Sequence, residues 1–455
     1  MALFVNRLLN MKKIKVIGFD MDYTLVRYHT DQFEKLTHSL ALKQLARHYG
    51  YPGEVTSLEF DYRRSMGGLV IDKINGNLLK LNRFGKVKIS YNGLEQIGYR
   101  EQSELYGNLA VDISDPRFTS LDTAFAISQG VMFGQLIQLK KEGLKLPDYP
   151  RLAEDIKSAV DDVHKNGSLK SIVTSDFEKY VISDPQTALM LERYKSYGKK
   201  LMIITNSDYN YTKKLLDYAL SPYLAEHDRW EDLFFRVITL ADKPAFFKRR
   251  ARFLRITDGQ GTMVNHEGPL EEGEIYQGGW FGQLQEELGV EGREVLYLGD
   301  HIYGDVVSIK KTCGWRTALV LEDLEEEMKS LGETAEIQKE IDLLMGRKKE
   351  LEREINRIDL LYHEGEKTDK KKLDELFAET DKLNQRISDL LNQNKSHFNP
   401  YWGEVLRAGS DESRFAAQME RYACIYMTRV ADLYDYSPKT YFRPPRRLMP
   451  HEMDL

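Results

Sequence analysis

Four short apolar runs each stop at polar residues able to do chemistry. They are IKVIGFDMD (14–22), KKLMIITNSD (199–208), FFRVITLADK (234–243) and REVLYLGDHIYGD (293–305). A fifth run, RTALVL (316–321), lacks such an ending. Near-continuous Val, Ile, Leu and Met over this length is the pattern of strands buried on both faces, as in a parallel sheet. Helical periodicity between runs, as over 211–218, supplies the crossovers of an α/β fold. In open α/β sheets ligands bind beyond the carboxyl ends of the strands. All four runs place their polar residues there.

About 180 residues separate the first run from the second, whereas a crossover needs only about 30. An inserted α+β domain is therefore expected, with helices over 32–49, 122–141 and 151–165. Its β region, GLVIDKINGNLLKLNRFGKVKI, carries turn signals at NGN and FGK. From Ile337 the spacing changes to 4-3: Ile337, Ile341, Leu344, Leu351, Ile355 and Ile358, with Lys348 at one seam position. After the polar break HEGEKTDKKK, Leu373, Leu376, Leu383, Ile387 and Leu390 repeat it, with Thr380 inside. Two such arms predict an antiparallel helical hairpin. A solvated structural insertion outweighs a partner-binding arm as its reading. The expected division is a core of 1–28 and 195–330, an inserted cap of 29–194, a hairpin arm of 331–398, and a C-terminal segment of 399–455 packing back on the core.

Charge changes this picture little. Sixty-five basic residues against 71 acidic ones give a net charge of −6, no excess that would draw nucleic acid or an anionic membrane. No window is apolar for about 18 residues, so no membrane span is expected. The N-terminal MALFVNRLLNMKK is interrupted by Asn6 and Arg7 and reads as no signal peptide. The two cysteines, Cys313 and Cys424, are far apart, which argues against a disulfide framework and fits a reducing cytoplasm.

The run endings hold the candidate chemistry. On a strand, residues i and i+2 face the same way, so Asp20 and Asp22 are expected to point into one site. Such a pair can divide attack and proton transfer, and hard carboxylate oxygens suit Mg²⁺. A plain strand-end turn fits the pair as well. Thr205 and Asn206 can donate to phosphate oxygens or cap the following helix. Lys243 can neutralise a phosphoryl group or snorkel at the surface. Asp300 is the better metal-ligand candidate of GDHIYGD, and Asp305 is placed to support it or Lys243.

The order Asp-x-Asp, Thr, Lys, Asp-xxxx-Asp, each closing a buried strand, resembles the haloacid dehalogenase superfamily in all four motifs. GFDMDYTL, GGLVIDKINGNLLK, VHKNGSLK, TNSDYNYT, YLGDHIYGDVV, GWRT and MPHE extend the likeness to the cytosolic purine 5′-nucleotidases that prefer IMP and GMP. The resemblance runs from Phe4 to Glu452 and is weakest in the hairpin arm. It implies a Rossmann-like haloacid dehalogenase core, a large cap inserted after the first motif, and a cytoplasmic, homo-oligomeric, Mg²⁺-dependent 5′-nucleotidase.

The resemblance also implies roles. Asp20 is the nucleophile and Asp22 the general acid and base. Thr205 and Asn206 hold the phosphoryl group, and Lys243 stabilises its charge. Asp20, the Asp22 carbonyl and Asp300 bind Mg²⁺, with Asp305 supporting. An aspartyl-phosphate intermediate would also allow phosphotransfer. In the cap, Phe125 stacks on the purine, and Asp161, His164 and Lys170 make polar contacts. Lys157 stands where the family has Arg, which leaves the base preference open. A purine-nucleotide effector would meet Tyr303 and Lys311, and Asp122 stands where the family has Asn. RAGS (407–410) also matches, as a phosphate contact or a turn before a helix. The Pro- and Arg-rich tail reads as a basic arm or as local ion pairs. The alternatives are a superfamily phosphatase for another small phosphate ester, or an interaction protein using the arm.

Overall fold

The computed structural model describes residues 3–366 and 369–452, so the middle of the polar break at 367–368 lies outside it. The chain divides into two compact units, 1–324 with 405–455, and 325–404.

The first unit is built on a ten-stranded sheet. Its strands are β1 (Leu3–Val5), β2 (Val16–Phe19), β3 (Lys200–Ile204), β4 (Arg236–Thr239), β5 (Phe253–Ile256), β6 (Met263–Asn265), β7 (Ile275–Gly278), β8 (Val295–Gly299), β9 (Arg316–Val320) and β10 (Ile425–Met427). The order across the sheet is β1-β10-β9-β8-β2-β3-β4-β7-β5-β6. The run from β10 to β7 is parallel, and antiparallel strands close both edges. The four apolar runs are β2, β3, β4 and β8, and every residue of β2, β4 and β8 is buried. Burial on both faces is what their unbroken apolar pattern demands. Helix Tyr209–Ala219 follows β3, capped by Asp208, whose side chain accepts from the Tyr211 N–H.

β8, β2, β3 and β4 are immediate neighbours, so their four endings meet at one edge. The chain proceeds from β2 to β3 on one side, while β8 returns on the other. β2 thus sits where the strand order reverses, the usual place for a ligand crevice.

The residues between β2 and β3 hold helices Thr30–His48, Ile127–Lys141 and Tyr149–Lys165 and a five-stranded antiparallel sheet around Leu69–Asp72 and Asn77–Leu81. A two-stranded link, Arg27–Tyr28 against Val181–Ile182, marks where the chain leaves and re-enters the core. Gly76 and Gly85 take positive φ in the NGN and FGK turns, as those sequences require. RAGS forms a tight hairpin, Arg407–Ala408 against Asp411–Glu412, with Gly409 at φ 69°. In the tail, Arg446 pairs locally with Glu452, whereas Arg447 pairs with Glu420 of helix Arg414–Tyr422.

The second unit contains helices Ala335–His363 and Lys370–Lys395, packed on each other. Ile341, Leu351, Ile358, Ile387 and Leu390 fill their seam. Among the described residues, no helix is long and apolar enough to cross a membrane.

Candidate active site

The crevice at the carboxyl edge gathers the strand-end residues. The Lys243 ammonium lies 2.8 Å from Asp20 and 2.9 Å from Asp305, with only 5% of its side chain exposed. It also donates to the Tyr297 hydroxyl (3.1 Å), which in turn donates to the Ile204 carbonyl (2.9 Å). Tyr297 fits because β2 carries Gly18. A Cβ there would come within 2.7 Å of the Tyr297 ring. Gly299 plays the same part for Asp305, whose carboxylate occupies the space of the missing side chain. Asn206 is bonded to the backbone of Lys243. Its side-chain oxygen accepts from the Lys243 N–H (2.6 Å) and its amide nitrogen donates to the Lys243 carbonyl (3.0 Å), so it clasps the lysine's backbone. Among the described residues, the non-glycine ones with positive φ, Tyr23, Leu240 and Asp242, all lie in the loops of this crevice.

Asp20, Asp300 and Asp305 offer oxygens that lie within 4.8 Å of one another. One ammonium does not balance three clustered carboxylates. Burial pushes the Asp20 carboxyl up to about 6, against the pull of Lys243. Burial, reinforced by Asp20 and Asp305, raises Asp300 well above the carboxylate range. Burial opposes the charge of Lys243, yet Asp20 and Asp305 hold the ammonium well above its ordinary value. Asp300 Oδ2 is buried and has no hydrogen-bond partner. An orphaned hard oxygen in an over-charged carboxylate cluster is what a site for a small divalent cation requires, and Mg²⁺ fits it.

Asp22 is held apart from this cluster. Its carboxylate accepts from the Tyr28 hydroxyl (2.5 Å) and the Ser207 hydroxyl (2.8 Å). Burial raises its pKa, with Tyr28 pulling the other way. The Asp22 side chain is therefore not among the clustered carboxylates, and only its main-chain oxygen is left for the metal role expected of it. The Thr205 hydroxyl accepts from the Ser207 N–H (3.1 Å), which leaves its proton free for a ligand.

The cap candidates separate. Phe125 lies edge-on to Tyr23 (4.7 Å between centroids) and to His164 (5.1 Å). Burial carries the His164 imidazole down to about 4, with the Lys170 charge adding to it, so the ring is neutral. Lys170 pairs with Asp208 (2.7 Å) and lies 5.0 Å from the centre of the Tyr211 ring. Lys157 and Asp161 share a face of helix Tyr149–Lys165 with His164 but are exposed.

Of the effector candidates, Tyr303 lies under Lys248 and Lys311 over Tyr422. Asp122 is neutralised by Arg414 (3.2 Å), which accommodates an acid where the resemblance expects an amide.

A shallow cleft opens beside Asp300. Its described walls include Tyr23, Asp122, Glu322, Asp323 and Phe415, but neither Phe125 nor His164. Glu322 and Asp323 correct the view that the fifth run ends without polar residues. Glu322 pairs with Arg27 (3.0 Å), and Asp323 accepts from the Tyr62 hydroxyl (2.8 Å). The two acids follow the run directly, in the stretch LEDLEEE (321–327).

A parallel sheet that assembles clustered carboxylates and one buried ammonium at its carboxyl edge is suited to a phosphoryl group, and the order of its motifs is that of the haloacid dehalogenase phosphatases. The model of the 5′ nucleotidase family matches residues 3–454, and the chain belongs to that family of hydrolases. It is 29% identical to a 5′-nucleotidase domain-containing protein of Dictyostelium discoideum, covering 99% of this chain and 75% of that one. It is 27% identical to 5′-nucleotidase domain-containing protein 2 of Rattus norvegicus, covering 100% of this chain and 80% of that one. Among solved structures, a predicted phosphoglycolate phosphatase of Haemophilus somnus aligns with 68% of this chain and 85% of its own. That match has 14% identity and a TM-score of 0.28.

Proposed function

We propose that the protein is a Mg²⁺-dependent 5′-nucleotidase that hydrolyses purine nucleoside 5′-monophosphates, GMP and IMP, in the cytoplasm. The observation that carries this reading is Lys243 set between Asp20 and Asp305 while Asp22 is held separately by Tyr28 and Ser207. This arrangement supports a reading in which one carboxylate attacks beside a cation and a second transfers the proton.

In the first step an Asp20 oxygen bonds to phosphorus and the bond from phosphorus to the ribose 5′-oxygen breaks. Asp22 gives its proton to that departing oxygen. In the second step Asp22 takes a proton from water, the water oxygen attacks phosphorus, and the aspartyl–phosphorus bond breaks to release phosphate. A second nucleoside in place of water makes the reaction a phosphotransfer. Lys243 offsets charge on the equatorial oxygens, Thr205 donates its hydroxyl to one of them, and Asn206 keeps Lys243 in place. Asp20, Asp300 and the Asp22 carbonyl, with Asp305 beside them, would hold Mg²⁺, which when bound neutralises phosphoryl charge.

Phe125 and His164 meet at the cap, and an aromatic ring can stack on a purine. The test is phosphate release from a panel of nucleoside monophosphates and sugar phosphates, with Mg²⁺, by wild type and Asp20→Asn. GMP and IMP are expected to lead and the variant to be silent. Faster turnover of sugar phosphates would overturn the nucleotide assignment, and an active Asp20→Asn would overturn the covalent route.

A further inference from the structure

We propose that Tyr28 is the positioning residue of Asp22, a claim that rests on the phosphomonoesterase reading above but not on the choice of base. The Tyr28 side chain is buried, 1% exposed, in the two-stranded link between the core and the inserted segment. Its hydroxyl lies 2.5 Å from Asp22 Oδ1 and 3.0 Å from the Tyr211 hydroxyl. A phenol has one proton. Because an ionised carboxylate only accepts, Tyr28 donates to Asp22 and Tyr211 donates to Tyr28. Hydrogen bonds in such a chain strengthen one another. Tyr211 is itself fixed, at the start of helix Tyr209–Ala219, beneath Lys170, whose ammonium is tied to Asp208. Ser207 takes the other oxygen of Asp22 at 2.8 Å.

Two donors from two different segments leave the carboxylate little freedom to rotate. Each oxygen keeps one lone pair on which the transferred proton can sit. Ser207 belongs to the core loop after β3, whereas Tyr28 belongs to the link. The pose of Asp22 is therefore set partly by the connection through which the chain enters the cap. Nothing in Tyr28 needs to touch substrate for this.

The test separates proton transfer from attack. Breaking the bond to a ribose oxygen needs the proton from Asp22, whereas 4-nitrophenolate leaves without one. The value of kcat/KM, which reports events through the first bond cleavage, is measured for GMP and for 4-nitrophenyl phosphate in wild type, Tyr28→Phe and Tyr211→Phe. Tyr28→Phe is expected to lower the GMP value by about 10-fold or more, a part of the roughly 10²–10⁴-fold that a general acid supplies. The aryl value is expected to stay within about two-fold. Tyr211→Phe removes only the support of Tyr28 and is expected to shift the ratio in the same direction by less. A structural defect would depress both substrates together. An unchanged ratio of the two values in Tyr28→Phe overturns the inference, and if that variant does not fold, an unchanged ratio in Tyr211→Phe does so. Wild-type protein that cleaves another alkyl phosphate but no nucleotide overturns the nucleotidase reading alone, and the ratio is then taken with that ester.

Discussion

Lys243 and Asp20 form a buried ion pair at 2.8 Å, and the same ammonium serves Asp305 at 2.9 Å. Asp300 stands beside them with an unpartnered oxygen. The two partners of the first pair should therefore behave oppositely when replaced. Asp20→Asn removes one charge from an over-acidic cluster. It should abolish phosphate release without lowering the metal-free unfolding free energy. Lys243→Ala leaves the carboxylates with no cation and should cost about 3–5 kcal/mol, the usual penalty for breaking a buried pair. Both lose activity; urea denaturation in chelator separates them.

The same surplus of negative charge predicts a stabilising response to metal. Mg²⁺ at about 100 times its dissociation constant should add about 2.7 kcal/mol to stability. Asp300→Asn should remove most of that gain, because Asp300 offers the free oxygen. Thermal unfolding with and without Mg²⁺ measures it, and a full Mg²⁺ response in the variant would exclude Asp300 as a ligand.

The parts of the site that sequence exposes are those where one physical constraint writes one pattern. Asp20, Thr205, Lys243 and Asp300 each follow a strand buried on both faces, and such strands leave unbroken apolar runs. Tyr28 and Tyr211 leave no such mark, because each stands among polar neighbours, Arg27 and His29 or Asn210 and Thr212, and only the partner of its hydroxyl shows its part. Nothing in the apolar run before Glu322 and Asp323 marks them as part of a crevice, and only coordinates reveal that both ends of the Asn206 amide meet Lys243. The edge strands β5 and β6 were missed as well. They are only four and three residues long, β5 is partly buried and β6 exposed at every residue, and neither shows a continuous apolar run.

Glu34 gives a stability signature away from the metal cluster. Its side chain is fully buried; one oxygen accepts from the Ser128 N–H (2.9 Å) and the other has no partner. Burial pushes its carboxyl up to about 7 from 4.5, against the Ser128 hydrogen bonds. Below pH 4.5 folded and unfolded chains are both protonated. As pH rises from there to about 7 the unfolded chain ionises first, so stability is lost through that window. Glu34→Gln cannot ionise, and its amide can still accept from the Ser128 N–H. It should match wild type near pH 4 and gain up to about 3 kcal/mol by pH 8, at 1.36 kcal/mol per unit. Denaturation midpoints across that range decide it, and a gap that does not widen with pH would rule it out.

The hairpin should be dispensable for chemistry. Every candidate catalytic residue belongs to the first unit. The two helices are stitched to each other by their apolar seam and by ion pairs such as Arg386–Glu340 (2.7 Å) and Arg347–Glu379 (3.1 Å). Replacing Ile337–Leu391 with a short Gly-Ser turn should keep phosphate release within about two-fold while removing helical circular dichroism in proportion to the residues lost. Loss of activity in a folded deletion variant would tie the arm to the site.

Asp122 and Arg414 give a test of compensation within this chain. Both side chains are 11% exposed, they pair at 3.2 Å, and Arg414 also donates to the Ser120 hydroxyl. Burial lowers the pKa of Arg414 while Asp122 supports its charge. Arg414→Leu strands a buried carboxylate and should cost about 3–5 kcal/mol; Asp122→Asn strands a buried guanidinium and should cost a comparable amount. The double variant has no buried charge left at the pair and keeps an amide for Ser120. It should therefore be more stable than either single variant, which requires a coupling energy in the double-mutant cycle larger than either single loss, that is, above about 3–5 kcal/mol. Additive losses would mean that the two side chains are solvated independently, and that the acid at position 122 is tolerated for some other reason than Arg414.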